Sequence, residues 1–255
     1  MKELKELKEL RERNLYECPV MQDTLGSTLR PGGFDLTKRA LEFCHFEEND
    51  ILLDLGCGKG ATIKYLSDNY NIAAKGLDIS ENLAKEARKI NQNSDIVISS
   101  GENIPFKNNV FSGVLAECTL SLMNNIEKTI DEVSRVMKTG GYFVISDIYA
   151  NRTEFLEELR NYSLNTCLRH PHDLNKLKNI LTEKGFNILL EEKHDKYLKQ
   201  LAAQIIFQHG SMENFWNISK GNCNCTDGKN FQSSLRKSKL GYFLMVGHKE
   251  GENAK

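Results

Sequence analysis

Residues Leu53 to Gly60 read LDLGCGKG, a short apolar run followed by three glycines at alternate positions. The apolar residues from Ile51 to Leu55 predict a buried strand, and the amphipathic segment 61–69 predicts a helix directly after it. Glycines at such a junction let the backbone turn tightly and let a ligand approach main-chain atoms. This stretch therefore predicts a ligand site between a strand and a helix of an α/β fold.

Strand-like and helix-like segments alternate along the rest of the chain. Further strands are predicted at 72–78, 95–99, 110–116, 142–147, 186–192 and 240–248, and further helices at 35–44, 80–91, 126–137, 173–184 and 196–208. Ser80 is a suitable N-cap for the helix that follows it. Such alternation predicts parallel strands, right-handed crossovers and helices on both faces of the sheet.

Two carboxylates narrow the choice of ligand. Asp78 ends the second predicted strand, 24 positions after Asp54 (78 minus 54). A carboxylate at that place can accept hydrogen bonds from both ribose hydroxyls of an adenosine. Dinucleotide-binding proteins favour G-x-G-x-x-G, which places a pyrophosphate at a helix N-terminus, whereas this chain has D-x-G-x-G-x-G. S-adenosylmethionine has no phosphate but carries an ammonium group, so the negative charge of Asp54 favours this methyl donor over a nicotinamide dinucleotide.

Four segments in order resemble class I S-adenosylmethionine-dependent methyltransferases, in the small-molecule branch called type 11. They are 54–60 together with Asp78, the loop 100–106 (SGENIPF), the strand 111–117 (FSGVLAE) and the helix and turn 132–141 (EVSRVMKTGG). The resemblance implies a Rossmann-like, seven-stranded, mostly parallel sheet with an antiparallel last strand. It also implies methyl transfer from S-adenosylmethionine.

The same resemblance implies a set of cofactor-binding residues. Asp54, Gly56, Gly58 and Gly60 would contact the methionine end, Asp78 the ribose, and Ile79, Ser100, Gly101 and Glu102 the adenine, with Glu117 at the end of the fourth strand. Ser100 stands where many relatives have an aspartate, and a serine forms a weaker hydrogen bond to the adenine amino group.

The methyl acceptor is much less constrained. The donor is already activated, so a general base is needed only for an acceptor that keeps its proton at neutral pH, and no catalytic residue is predicted. The segment 117–121 (ECTLS) lacks the Asn/Asp-Pro-Pro-aromatic motif of enzymes that methylate nucleobase amines, which argues against DNA. Candidate acceptor-site residues are Cys118, Tyr149, Cys223 and Cys225. The main hypothesis is a small-molecule or thiol-type acceptor.

Two alternative functions remain open. Cys118 lies where some arsenite methyltransferases place a metalloid-binding cysteine, and Cys223 and Cys225 add two soft ligands, so one alternative is a metalloid methyltransferase. The other is a non-catalytic cofactor-binding protein that serves a partner enzyme. The segments 29–37 (LRPGGFDLT), 221–225 (GNCNC) and 240–242 (LGY) resemble a bacterial subgroup called TrsM. That resemblance implies a radical S-adenosylmethionine enzyme as partner.

Composition limits location and partners. The net charge of -1 over 255 residues argues against nucleic-acid binding by bulk electrostatics. No apolar run approaches the roughly 18 residues of a membrane span, and no signal-peptide pattern follows the N-terminus. Seven scattered cysteines favour a reducing cytoplasm. His170-Pro171-His172 is interpreted as a turn before a helix, and no metal site is predicted.

We expect four regions along the chain. Residues 1–50 form an N-terminal helical lid that begins with a charged helix and becomes irregular over 16–33, and residues 51–192 form the methyltransferase core. Residues 193–239 form an insertion, with one helix and then a polar loop that carries the Cys-x-Cys sequence, and residues 240–255 form the final strand and tail. Phe215 and Trp216 in the insertion are assigned to a small hydrophobic core rather than to a substrate wall.

Overall fold

The computed structural model describes residues 15–162, 166–219 and 227–251. One seven-stranded sheet organises them, with the strand order β3-β2-β1-β4-β5-β7-β6. The strands are β1 (Ile51–Leu55), β2 (Ala73–Asp78), β3 (Ile96–Ile98), β4 (Phe111–Glu117), β5 (Met137–Ala150), β6 (Phe186–Lys193) and β7 (Leu240–Lys249). Strands β1 to β5 pair in parallel, and β7 runs antiparallel to both β5 and β6. The expected mostly parallel sheet with an antiparallel last strand is confirmed.

Helices cover both faces of this sheet. They are α1 (Pro19–Leu25), α2 (Asp35–Cys44), α3 (Ala61–Tyr70), α4 (Glu81–Ile90), α5 (Ile126–Val136), α6 (Leu156–Arg160), α7 (Leu174–Glu183), α8 (Asp195–His209), α9 (Met212–Ser219) and α10 (Asp227–Ser238). Ser80 Oγ accepts a hydrogen bond from Leu83 N, so the N-cap expected for α4 is confirmed.

Two buried clusters lie on opposite faces of the sheet. Helices α2, α3 and α4 contribute to the cluster that contains Leu52, whereas α5 and α7 contribute to the cluster that contains Leu53 and Leu55. Successive side chains of a strand point to opposite faces, so β1 supplies both clusters. Strand β1 therefore lies in the centre of the fold with its carboxyl end free to carry a site.

Three expectations about local structure are wrong. The segment 138–141, interpreted as a turn, is the first part of β5, and α1 lies within the segment 16–33 that was expected to be irregular. Pro19 is compatible with α1 because it stands in the first turn, where a missing N–H leaves no hydrogen bond unmade. The polar loop expected after 208 contains α9 and α10. The charged helix at 1–13 and the pair Cys223 and Cys225 lie outside the described residues.

A third buried cluster joins the N-terminal segment to the insertion. Helix α1 contacts both α8 and α9. The ring of Trp216 packs edge-on against Phe215 and Phe231, with centroids 5.0 and 5.5 Å apart. All three rings are buried in this core, as expected for Phe215 and Trp216, but these two residues also form part of a cavity wall. No helix in the described part of the chain is long and apolar enough to cross a membrane.

Candidate active site

A cavity lies at the carboxyl ends of β1, β2 and β4. The sheet order places β2 and β4 on either side of β1, so the chain leaves these strands in opposite directions and a crevice opens between the connections. Asp54, Gly56, Gly58, Asp78, Ile79, Ser100, Gly101, Glu102, Glu117 and Cys118 all line it. The structure therefore brings together nine of the ten residues predicted for the cofactor, together with Cys118.

The glycine turn after β1 is held against β2. Both Gly56 N and Cys57 N donate hydrogen bonds to Leu77 O, at 2.7 and 3.0 Å. Gly56 and Gly58 have φ values of +74° and +51°, in a backbone region that residues with a Cβ rarely adopt. The turn therefore exposes bare backbone to the cavity.

Gly60 is the predicted cofactor residue that the structure does not bring to this cavity. Its φ is +75°, and a Cβ there would collide with the side chains of Asn91 and Ala87. Asn91 Nδ2 also donates to Gly60 O at 3.0 Å. Gly60 thus allows the start of α3 to pack closely against the end of α4, behind the turn that lines the cavity.

Asp78 has both carboxylate oxygens engaged by backbone N–H groups. Gly58 N donates to Oδ2 and Ser80 N donates to Oδ1, each at 2.8 Å. Burial raises the pKa of this carboxyl, and the two backbone hydrogen bonds oppose that effect. Each carboxylate oxygen has more than one acceptor site, so Asp78 retains capacity for hydroxyl donors from the cavity.

Asp54 is buried beside this cavity with a mere 3% of its surface exposed. Within the residues that the structure describes, no donor is hydrogen-bonded to its carboxylate. Burial raises the pKa of Asp54 to about 8, with further contributions from the negative charges of Glu117 and Asp78 and an opposing one from Arg30. A cationic group in the cavity would reverse this shift, because an opposite charge at short range favours the ionised form.

Glu117 differs from Asp54 because its carboxylate has several partners. Thr37 Oγ1 donates to Oε1 at 2.6 Å, Thr62 Oγ1 donates to Oε2 at 2.9 Å, and Arg30 Nη2 lies 2.9 Å from Oε2. Arg30 and Glu117 are both buried. The pair therefore fixes the N-terminal segment onto the end of β4. Sequence reasoning did not select Arg30, although it begins the Arg-Pro-Gly-Gly turn.

The opposite end of the cavity is lined by the residues expected at an adenine. The Ile79 side chain is 68% exposed next to Gly101, whose Cα lies against the Met123 side chain. Glu102 Oε1 accepts hydrogen bonds from Asn124 N and Asn125 N, at 2.8 and 3.1 Å. The Glu102 carboxylate therefore holds the loop before α5, in addition to lining the cavity.

The N-terminal segment is attached to the rim of the cavity by further polar contacts. Glu17 accepts hydrogen bonds from Ser80 Oγ and Asn82 Nδ2, at 2.7 and 2.8 Å. Lys59 Nζ donates to Gln22 Oε1 at 2.6 Å. Together with Arg30, these contacts join the segment 15–33 to three loops of the sheet.

A second cavity adjoins the first. Its lining is almost entirely apolar and comes from the N-terminal segment, the insertion and the segment 166–168. It consists of Tyr16, Met21, Leu25, Leu29, Pro31, Cys118, Ile148, Thr166, Cys167, Leu168, Leu198, Leu201, Ala202, Ile205, Met212, Phe215 and Trp216. Tyr16, Leu29 and Cys118 line both cavities and so form the partition between them.

A pair of thiols lies in this partition. Cys118 has a φ of +58°, rare for a residue with a side chain, and its Sγ is 3.3 Å from Cys167 Sγ. Cys167 N donates to Tyr16 Oη at 3.3 Å. The hydrogen bond with Cys167 and burial raise the pKa of the Cys118 thiol well above its ordinary value. The thiol is therefore neutral at pH 7 and a poor general base. Cys167 was not selected from the sequence.

Other candidate residues lie elsewhere. Tyr149, a candidate acceptor-site residue, lines neither cavity; its hydroxyl donates to Asp195 Oδ1 at 3.2 Å, at the start of α8. His172 is buried, with Nε2 3.3 Å from Asp147 Oδ2, in the turn that precedes α7. No group of three or more potential metal ligands occurs among the residues placed by the structure.

Comparison with known proteins identifies several similar chains. Residues 53–145 match a family model described as a methyltransferase domain. The uncharacterized protein MJ1123 of Methanocaldococcus jannaschii is 32% identical over 156 residues, which cover 61% of this chain and 68% of that protein. The sarcosine/dimethylglycine N-methyltransferase of Halorhodospira halochloris is 28% identical over 105 residues, covering 39% of this chain and 38% of that enzyme.

A solved structure shares the fold over most of this chain. Phosphoethanolamine N-methyltransferase 2 of Haemonchus contortus, in complex with S-adenosyl-L-methionine, superimposes with a TM-score of 0.71 at 18% sequence identity. The superposition covers 91% of this chain and 56% of the other. The chain thus spans just over half of that protein and less than two fifths of the halophilic enzyme.

Proposed function

Because this chain belongs to the class I S-adenosylmethionine-dependent methyltransferases, we propose that it transfers a methyl group to a small molecule bound where the two cavities meet. The observation that carries this proposal is the partition formed by Tyr16, Leu29 and Cys118. On one side lie the residues expected for the methyl donor, and on the other lies a cavity with an almost entirely apolar lining.

The residues of the first cavity fit the donor at both of its polar ends. Among the described residues, none donates a hydrogen bond to the buried carboxylate of Asp54, so an ammonium group would supply the missing partner. Asp78 is fixed by two backbone N–H groups and retains capacity to accept from ribose hydroxyls. Ile79 and Gly101 offer an exposed apolar side chain and open backbone on which an adenine ring can lie.

When bound, the donor would supply an activated methyl group, which the acceptor attacks on the side opposite the departing sulfur. The chain's own part is to hold the acceptor at the partition and to exclude water. We assign these tasks to the segment 15–33 and to residues 193–219 and 227–239 of the insertion, which act together as a lid because α1 packs on α8 and α9. The ion pair between Arg30 and Glu117 attaches this lid to the carboxyl end of β4.

A donor-consumption assay tests the proposed function. The wild-type chain is incubated with methyl-labelled S-adenosylmethionine and a panel of neutral thiols, phenols and amines, and S-adenosylhomocysteine is quantified with and without each acceptor. Acceptor-dependent consumption that is lost in Asp78→Asn supports the proposal. Tight donor binding without consumption for any acceptor would instead favour the non-catalytic alternative.

The pair Cys118 and Cys167 favours one second candidate, a metalloid methyltransferase. Two thiols 3.3 Å apart in one cavity can replace two hydroxyls of arsenous acid, forming two arsenic–sulfur bonds and releasing two waters. The raised pKa of Cys118 opposes this reaction, since binding must remove the thiol proton. Arsenite-dependent donor consumption that is abolished by either Cys118→Ser or Cys167→Ser would establish this candidate. Consumption by both variants at the rate of the wild type would exclude it.

A further inference from the structure

We propose that the apolar cavity selects an uncharged acceptor, whose hydrocarbon part fills the cavity while its reacting atom lies at the partition beside Cys118. This inference rests on the proposed function, because it names the class of molecule that occupies the acceptor side of the same site. It makes a prediction about binding alone, so it is testable before any natural acceptor has been identified.

The chemistry of the lining excludes a charged occupant. None of the described side chains around the cavity carries a charge, and the polar groups are the hydroxyls of Tyr16 and Thr166, the two thiols and the indole N–H of Trp216, which donates to Gln232 Oε1. Tyr16 Oη already accepts a hydrogen bond from Cys167 N. An ammonium or phosphate group would therefore lose its hydration without gaining an ionic partner, and such a transfer is strongly unfavourable. A hydrocarbon group gains instead, by about 25 cal/mol for each Å² removed from water.

Three polar groups of the lining lie together beside the donor cavity. Cys167 contacts both Tyr16 and Cys118, and these two residues also line the first cavity, whereas Met21 of α1, Ile205 of α8 and Trp216 of α9 line the second cavity alone. An occupant with one polar atom is therefore oriented, with that atom toward the donor cavity. The same asymmetry explains why the site would discriminate between a neutral alcohol, phenol or thiol and its carboxylated or phosphorylated counterpart.

The lid contributes most of the residues that line the cavity. Helix α8 presents Leu198, Leu201, Ala202 and Ile205 to the cavity. Ala202 lines the cavity and is half-buried, whereas its neighbour Ala203 points to solvent from the same helix. This adjacent pair supplies a matched test, because an identical substitution fills the cavity at one position and leaves it open at the next.

The experiment uses two fluorescent probes with the full chain. Binding of neutral 1-aminonaphthalene and of its anionic counterpart 5-aminonaphthalene-1-sulfonate is measured by fluorescence, in the presence of saturating S-adenosylhomocysteine. We expect the neutral probe to bind at least about tenfold more tightly than the sulfonate, a difference of about 1.4 kcal/mol. We expect Ala202→Phe to lower the affinity for the neutral probe by about tenfold or more, and Ala203→Phe to leave it unchanged.

A second variant guards against loss of folding. Met212→Ala enlarges the cavity and is expected to shift preference toward the larger neutral probe 1-aminoanthracene. Equal affinity of the two naphthalene probes, or equal affinity of Ala202→Phe and Ala203→Phe, would overturn the proposal. Titration of each variant with S-adenosylmethionine separates the two hypotheses, since failure of the wild type to bind the donor contradicts the proposed function, whereas the probe results test the cavity alone.

Discussion

Replacing Asp54 with asparagine removes a buried carboxyl whose ionisation opposes folding. Its pKa in the folded chain is about 8, against an ordinary value of 3.8, and burial is the main cause. A carboxyl whose pKa is raised by folding contributes most to the free energy of unfolding below its unfolded-state pKa. That contribution is lost as the pH rises to its folded-state pKa. Relative to Asp54→Asn, the wild type should therefore lose stability progressively between about pH 4 and pH 8.

The size of this loss follows from the shift. Each pH unit within the window corresponds to about 1.4 kcal/mol, so the advantage of Asp54→Asn should grow by about 3 kcal/mol between pH 5 and pH 7.5. Urea unfolding of both proteins at the two pH values measures it. Asp68→Asn is the matched control, because it makes the same substitution at an exposed carboxylate on α3.

The same carboxyl links donor binding to protons. An ammonium group beside Asp54 favours its ionised form, so binding near pH 7 should release close to one proton from the wild type and none from Asp54→Asn. Calorimetric titration with S-adenosylmethionine in buffers of different ionisation enthalpy counts these protons. A stability difference that is independent of pH, together with donor binding that releases no proton, would refute the assignment of a protonated Asp54 facing the cavity.

Three further outcomes are expected. Asp78→Asn should weaken S-adenosylmethionine binding by about tenfold to a hundredfold in a calorimetric titration, because it removes charge-assisted hydrogen bonds worth about 1.5–3 kcal/mol, and unchanged affinity would contradict its ribose-binding role. Arg30→Met leaves Glu117 buried without its ionic partner and should lower the free energy of unfolding by about 3–5 kcal/mol in a urea titration; a change within 0.5 kcal/mol would show that the pair does not fix the lid. Trp216→Ala should also lower the free energy of unfolding, by about 3–5 kcal/mol in the same measurement, and a smaller loss than about 1 kcal/mol would place the ring outside a packed core.

Much of the fold was predictable because its signals are local. The apolar run at β1, the N-cap Ser80 and the glycine turn each specify backbone geometry within a few residues. The carboxyl ends of adjacent parallel strands then come together, which is why Asp54 and Asp78 meet although they are 24 positions apart (78 minus 54). For such residues, strand order is sufficient to predict proximity.

The contacts of the N-terminal segment and the second cavity could not be predicted in this way. Arg30 meets Glu117, and Cys118 meets Cys167, through tertiary packing of segments that carry no local mark of the contact. The N-terminal segment and the insertion each bury their apolar residues against the other, so neither segment alone indicates the cavity. Gly60 shows the converse, since a motif glycine expected at the cofactor instead permits close packing behind the turn.

The most direct test of the central claim is calorimetric titration of the wild-type chain with S-adenosylmethionine and, separately, with NADH. The account predicts saturable micromolar binding of S-adenosylmethionine, weakened in Asp78→Asn, and no binding of NADH. Binding of NADH, or S-adenosylmethionine affinity that is the same in Asp78→Asn as in the wild type, would contradict the assignment of this cavity to the methyl donor.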